Sequence, residues 1–314
     1  MKLSQAPETI LMLRPANFGF NPLTAASNTF QQQIYDQSTD QIRSLAQMEF
    51  DQFVEKLVHA DVDVIVVEDL PDPITPDAVF PNNWISFHQD GTVILYPMMA
   101  QNRRQERRED ILLMLQKIYN FEISRILDFS IYEVSDRFLE GTGSMVLDYI
   151  NKKAYANLSI RTDESILDRF CMEMGYQKVI FPSVDEDGMD IYHTNVVMCI
   201  GNGYVVVCLE SIIDEADRIN LMHSFESTDH EIVDISYHQL SCFAGNMMEV
   251  KDKHSDPVLI MSEKAYHSLG KEQLKRLKKR AQILYTPLDT IEKYGGGSAR
   301  CMIAGVFLPK SEKS

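Results

Sequence analysis

Five cysteines in 314 residues, none in a CxxC spacing, leave no disulfide framework to read. Positive charge is also short. Thirty lysines and arginines face 46 aspartates and glutamates, a net charge of −16, which argues against a nucleic-acid surface built on clustered cations. The basic run Asn102-Arg-Arg-Gln-Glu-Arg-Arg is broken by Glu106 and followed by Glu109 and Asp110, and reads as a solvated first helical turn. No apolar stretch approaches the roughly 20 residues that span a bilayer, and the opening MKLSQAPETI has no apolar signal core. The histidines show neither HExxH nor paired ligand spacing, and no GxGxxG follows a strand. The expectation is a cytoplasmic protein with no membrane or nucleic-acid partner, no metal and no cofactor.

What is present is an ordinary soluble composition, 45% hydrophobic and 24% charged, arranged as a repeat. An apolar strand, a short turn and a second strand are followed by an amphipathic helix. Trp84–His88 and Thr92–Pro97 flank Asp90-Gly91, a strong hairpin signal because the turn needs positive φ. Further hairpins fall at 144–158, 196–209 and 247–261. Helices are expected from about Gln101 to Tyr119, after the Thr162/Asp163 cap to Met174, from near Asp214, and from about Ser262. A fifth unit is discontinuous: Ala299–Leu308 late in the chain is expected to pair with Thr9–Leu13, followed by a helix from about Thr39 to Val58. Further strands, at 62–67, 124–127, 178–181, 231–235 and 283–285, make each unit read as strand, hairpin, helix. The period is on the order of 50–60 residues, in the range of propellers and arrays, and the alternation makes the class α/β. Periodicity alone leaves an open α/β sheet with hairpins equally eligible.

A compact polar signature precedes each hairpin: Asp77-Ala-Val-Phe-Pro-Asn82-Asn83, Leu139-Glu140-Gly-Thr-Gly-Ser, Tyr192-His193-Thr-Asn195, Ser241-Cys242-Phe-Ala-Gly-Asn246 and Gly295-Gly-Gly-Ser-Ala-Arg-Cys301. In a closed ring of five units these would converge on one axis. Acid, amide, imidazole and thiol meeting in a cleft are the ingredients of covalent hydrolysis. Singly, each has a plainer reading. His193 could be a satisfied strand-edge histidine, Glu140 a turn cap and the triple glycine a simple turn or a phosphate loop, although no P-loop lysine follows it. Cys199 and Cys208 lie in apolar runs and Cys171 on a helical stretch, so they read as inert core thiols. Cys242 and Cys301 stand near glycines and polar residues.

At these signatures the chain resembles the pentein, or guanidine-modifying, superfamily, and most of all its citrulline-utilisation hydrolases. Arg14-Pro-Ala-Asn-Phe-Gly-Phe-Asn, Phe80-Pro-Asn-Asn-Trp, Leu139-Glu-Gly-Thr-Gly-Ser, Tyr192-His-Thr-Asn and Gly295-Gly-Gly-Ser-Ala-Arg-Cys carry the likeness over nearly the whole chain. The resemblance implies a five-bladed β/α-propeller with pseudo-fivefold repeat, a single domain over residues 1–314 and a central site. It also implies a catalytic set on Cys301, His193 and Glu140, with Asp77 matching a further acid of the superfamily. Arginine-specific relatives grip the guanidinium with carboxylates where this chain has Asn82, Asn83 and Asn195. A buried cation without a carboxylate partner is heavily penalised, whereas an amide both donates and accepts and suits a neutral ureido group.

The expected chemistry is attack by the Cys301 thiolate and proton transfer by His193. Glu140 would orient the site, and amides with the N–H groups near Gly295–Gly297 would stabilise charge. The substrate is expected to be a small amino acid, citrulline rather than arginine. Arg14, Arg103, Arg104 and Arg300 are the candidates for its carboxylate, and Asn17–Pro22 the candidate lid. An arginine deiminase or amidinotransferase is the alternative enzyme, and a non-catalytic pentein binding protein the alternative class. A homodimer is permitted by the composition but not required.

Overall fold

The computed structural model describes residues 3–32 and 37–311. Strands β1 (Thr9–Arg14) and β2 (Asp63–Glu68) run parallel, joined by the helix Thr39–His59. That helix begins in a capping box, Ser38 with Gln41, and buries Ile42, Ala46, Phe50, Phe53 and Leu57 along one face. The same plan then repeats. Strands β3 (Ile85–Phe87) and β4 (Thr92–Leu95) form a hairpin, the helix Glu109–Lys117 crosses over, and β5 (Arg125–Asp128) pairs parallel to β4. Likewise β6 (Met145–Asp148), β7 (Lys153–Asn157) and β8 (Gln177–Phe181) enclose the helix Glu164–Met174, whose N-terminal N–H groups bond to Asp163. Strands β9 (Met198–Gly201), β10 (Tyr204–Val207) and β11 (Glu231–Asp234) enclose Glu215–Glu226. Strands β12 (Met248–Lys251), β13 (Pro257–Ser262) and β14 (Gln282–Thr286) enclose Glu263–Ser268 and Lys271–Lys278.

The late strand β15 (Ala304–Val306) pairs antiparallel with β1, Thr9 opposite Val306, and completes the first sheet. The pairing of early and late strands therefore occurs as the sequence suggested, and the result is five three-stranded sheets. One detail differs. The lone strand of each unit follows its helix and extends the preceding hairpin, so the unit is hairpin, helix, strand. A strand needs a crossover of a dozen or more residues to return parallel, and the helix supplies it. The stretch after the first hairpin is also divided, with a 3₁₀ segment Gln101–Glu106 before Glu109–Lys117.

The first strand of each unit faces the middle, where β15 contacts β3, and β9 contacts both β6 and β12. A short turn precedes four of these strands: Pro81–Asn83, Gly141–Ser144, Thr194–Val197 and, before β15, the loop that leaves the helix Asp289–Gly295. That last helix lacks a side-chain cap of its own. Glu49 from Thr39–His59 supplies one, its buried carboxyl accepting the N–H groups of Thr290 at 2.7 Å and Ile291 at 3.0 Å. Glu49→Ala is expected to lower the free energy of unfolding by roughly 1–3 kcal/mol, the range for stranding buried donors, as read by chemical denaturation.

Candidate active site

The turns aim their polar residues into one place. Asn82 and Asn83 lie in the turn before β3, Glu140 immediately before Gly141–Ser144, His193 before Thr194–Val197, Asn246 ahead of β12 and Cys301 ahead of β15. Close approach of these turns explains the glycines between them. A Cβ at Gly143 would lie 2.4 Å from Asn83 Nδ2 and 2.8 Å from the His193 ring, so only glycine lets the second and third turns meet. A Cβ at Gly297 would press the Phe80 ring at 2.8 Å and Cys301 Cβ at 3.3 Å. The triple glycine is thus a close-packed wall beside the thiol.

Cys301 is 5% exposed, and its sulfur accepts N–H groups from Asn195 Nδ2 at 3.4 Å and Asn246 Nδ2 at 3.2 Å. Burial in apolar surroundings pushes the thiols of Cys171, Cys199 and Cys208 up to about 11, 12 and 12. Cys242 closes the short helix Tyr237–Ser241 and does not line the cavity of Cys301.

His193 Nε2 lies 2.9 Å from Glu140 Oε2. Glu140 is fully buried, yet both its oxygens are engaged: Oε1 accepts the Met99 N–H at 3.0 Å and Oε2 also receives Arg161 at 3.4 Å. Burial alone would raise this carboxyl, but Arg161, then the His193 hydrogen bond and charge, and Arg103 together hold it ionised well below the usual carboxylate range. An ionised carboxylate only accepts, so Nε2 carries the imidazole proton and Nδ1 is left with a lone pair. Burial lowers His193 to about 4 despite the pull of Glu140, so the ring is neutral at pH 7. The Glu140 side chain makes no cap bond to its own turn, which sets the capping reading aside.

His193 and Cys301 line one cavity together with Asp77, Asn83, Arg103, Arg161, Tyr192 and Gly295–Gly297. Arg103 is held by Glu106 through two bonds of 2.9 Å and by Asn83 Oδ1 at 2.8 Å. Asp77 accepts Asn21 Nδ2 at 2.7 Å on one oxygen, while its other oxygen has no partner among the described residues. Also buried without partners among them are both polar atoms of Asn82, Nδ2 of Asn83 and Oδ1 of Asn195. Native interiors seldom leave such groups unsatisfied, so several at one centre mark a place for a polar ligand.

The cavity itself is about 20 Å³, room for a single water. A cover closes it. Thr24 and Asn28 line the cavity, Arg161 donates to Thr24 O and Ser27 Oγ, Asn28 donates to Gly295 O and Gln31 to Tyr294 O. The cover expected at Asn17–Pro22 thus falls mostly later, at residues 21–32, and Asn17 instead bonds to Leu70 O and Pro71 O outside the site.

Of the residues singled out in the sequence, Cys301, His193, Asp77, Asn83 and Arg103 share the cavity. Glu140 and Asn195 touch its members, and Asn82 lies buried in the adjoining turn. Three do not belong. Arg14, at the end of β1, pairs with Asp51 at 2.7 Å and with Glu68 at 3.5 Å. Arg300 neighbours Cys301 in sequence, but its guanidinium turns away to Ile303 O and lines a separate small cavity with Gln5, Tyr149 and Glu249. Arg104 bonds to Met98 O and pairs with Glu133. Sequence reasoning missed Arg161, which no motif marks. It also passed over Asn246, which the signature before the fourth hairpin contains.

A family model described as N,N dimethylarginine dimethylhydrolase, eukaryotic, matches residues 14–308. No protein of curated function matches the chain in sequence at a significant level. Among solved structures, apo ArgZ, an arginine dihydrolase from the ornithine-ammonia cycle in cyanobacteria, aligns with a TM-score of 0.73 at 18% identity over 96% of this chain. The chain spans only 41% of that protein. It covers 97% of the ArgZ N-terminal domain, solved as a cysteine-to-serine variant bound to substrate, with 95% of this chain aligned, TM-score 0.71 and 18% identity. A dimethylarginine dimethylaminohydrolase, solved as an adduct with S-methyl-L-thiocitrulline, aligns with TM-score 0.61 and 12% identity over 95% of this chain and 99% of its own. These likenesses establish a shared pentein fold.

The site generates a titration. By NMR of the imidazole, His193 should protonate with a midpoint near pH 4 and be neutral above about pH 5. In Glu140→Gln the midpoint should move lower still, because the anion that favours the charged ring is gone. A midpoint at or above 6.5 in the parent protein would contradict the arrangement.

Proposed function

This chain belongs to the N,N-dimethylarginine dimethylhydrolase family, hydrolases of carbon–nitrogen bonds outside peptide links, and on that premise we propose that it hydrolyses the ureido group of citrulline through a covalent Cys301 intermediate. The observation that carries the reading is the sulfur of Cys301 held by two amide donors in the same cavity as a neutral, carboxylate-backed imidazole.

The steps follow from the proton positions. His193 Nδ1 takes the thiol proton, and the thiolate attacks the ureido carbon. Asn195 and Asn246, which held the sulfur, stand beside the carbon as its oxygen gains charge. The tetrahedral adduct breaks its bond to the side-chain nitrogen, which takes the proton from His193 and leaves as ornithine. The S-carbamoyl enzyme that remains is attacked by water, whose proton passes to His193 and then to the departing sulfur. Carbamate is released and falls apart to ammonia and carbon dioxide.

The unpartnered groups support a ureido substrate. Asn82 and Asn83 amide N–H groups can donate to a ureido oxygen, and Asn82 Oδ1 and Asn195 Oδ1 can accept its N–H groups. Glu140 already meets Arg161, His193 and the Met99 N–H, so most of its acceptor capacity is committed before any substrate arrives. At the other end, Arg103 and Arg161 are the cations that suit an α-carboxylate, and the free oxygen of Asp77 suits an α-ammonium. Ligand pockets run to roughly 300 Å³ and more, so the cover at residues 21–32 must lift, and Arg161 must exchange Thr24 O and Ser27 for the substrate. A second reading, an arginine-like substrate, draws on the same Asp77 oxygen and on the arginine dihydrolase neighbour.

A panel of citrulline, arginine, methylated arginines, agmatine and succinylarginine tests this. Citrulline should yield ornithine and ammonia, and Cys301→Ser should yield neither. Rapid citrulline formation from arginine would replace the reading with a deiminase. Binding without turnover, unchanged by Cys301→Ala, would replace it with a binding protein. For the carboxylate contact, Arg161→Lys loses the planar fork and should raise KM for citrulline by roughly 10- to 100-fold, the range for a charged hydrogen bond. It should leave KM for N-carbamoylputrescine, which has no carboxylate, nearly unchanged.

A further inference from the structure

The loop that carries Cys301 is anchored from behind by a carboxylate outside the catalytic cavity. Glu292, in the last turn of Asp289–Gly295, is 4% exposed, and its Oε1 accepts the Ser298 hydroxyl at 2.6 Å. Ser298 is fully buried, and its carbonyl in turn accepts the Cys301 N–H at 2.9 Å. The Glu292 carbonyl accepts the Gly296 N–H at 3.0 Å, so one residue holds the loop at two points. Ser262, at the end of β13, faces the Glu292 carboxyl and lowers its pKa. Three glycines in a row give this loop little stiffness of its own, so the position of the sulfur depends on what fastens the segment.

We infer that Glu292 is a positioning residue for the proposed hydrolysis, fixing the Cys301 sulfur against the substrate carbon through Ser298. The inference rests on Cys301 being the nucleophile. Glu292 also lines an open cleft of about 570 Å³ with Phe30, Asp289 and Lys264, so its proton exchanges with solvent and not through the closed catalytic cavity. Burial raises this carboxyl to about 7, with Ser262, Ser298 and Lys264 lowering it and Asp289 raising it. The ionised form accepts the Ser298 hydroxyl. Protonation turns one of its acceptor sites into a donor that this hydroxyl does not require. The anchor is therefore tightest above neutral pH and slackens below it.

The test is a cycle of Glu292→Gln, Ser298→Ala and the double variant, read by kcat, by KM and by the rate at which iodoacetamide alkylates Cys301, assigned by peptide mass. Each single variant should lower kcat by roughly 10- to 100-fold, the scale of an ångström-sized misplacement, with KM within about threefold. The double variant should be no worse than the poorer single one, since both remove one link. The parent kcat should show an inflection near neutral pH that Glu292→Gln lacks. The alkylation rate should change in the same variants, and this readout needs no turnover, so it stands even if no substrate in the panel is hydrolysed. Effects within twofold of the parent, or losses that multiply in the double variant, would overturn the inference. Cys301→Ser retaining turnover would overturn the nucleophile assignment instead.

Discussion

At the centre of this molecule one carboxylate stays ionised with no access to water. Glu140 would be neutral on burial alone, and a neutral acid would leave His193 free to adopt either tautomer. Arg161, the imidazole itself and the Met99 N–H hold it as an anion. Each donor comes from a different part of the chain, so the charge forms only where several units meet. Removing one partner of such a set strands a buried charge, which costs more than the pair contributes. Arg161 also reaches the cover over the cavity through Thr24 and Ser27, so the state of the cover and the state of the acid share one guanidinium.

Much of the architecture was legible because each unit writes its own punctuation. Asp90-Gly91, the Asp163 cap and the Asp214 cap fix hairpin and helix starts by local chemistry, and the structure places elements at those positions. The partner of each lone strand was not legible. Sequence order alone cannot say whether a strand joins the hairpin before it or after it, and only the crossover helix decides.

The site divides along the same line. Residues carried by turns with a fixed spacing before a strand, such as Asn83, His193 and Cys301, could be read, since the turn sets their direction. Of the four arginines named, only Arg103 lines the cavity. A long side chain reaches far from its backbone, so Arg300 beside the thiol points away while Arg161, beyond a hairpin with no motif around it, reaches the middle. Arg14 belongs to a quoted motif yet spends its charge on Asp51 and Glu68. The inverse held for Asn246, visible in a signature but outweighed there by Cys242, the more reactive residue type in the wrong place.

The pairing of β1 with β15 bears on how the protein is made. Within these residues β1 precedes every other strand and β15 follows them all, so the two must find one another across the intervening four sheets. Such distant closure is slow relative to the local hairpins, so four sheets can mature while the first waits. During that wait Cys301, in the loop just ahead of β15, has not reached the centre. Sealing of the ring and arrival of the sulfur at its centre are therefore one and the same folding event.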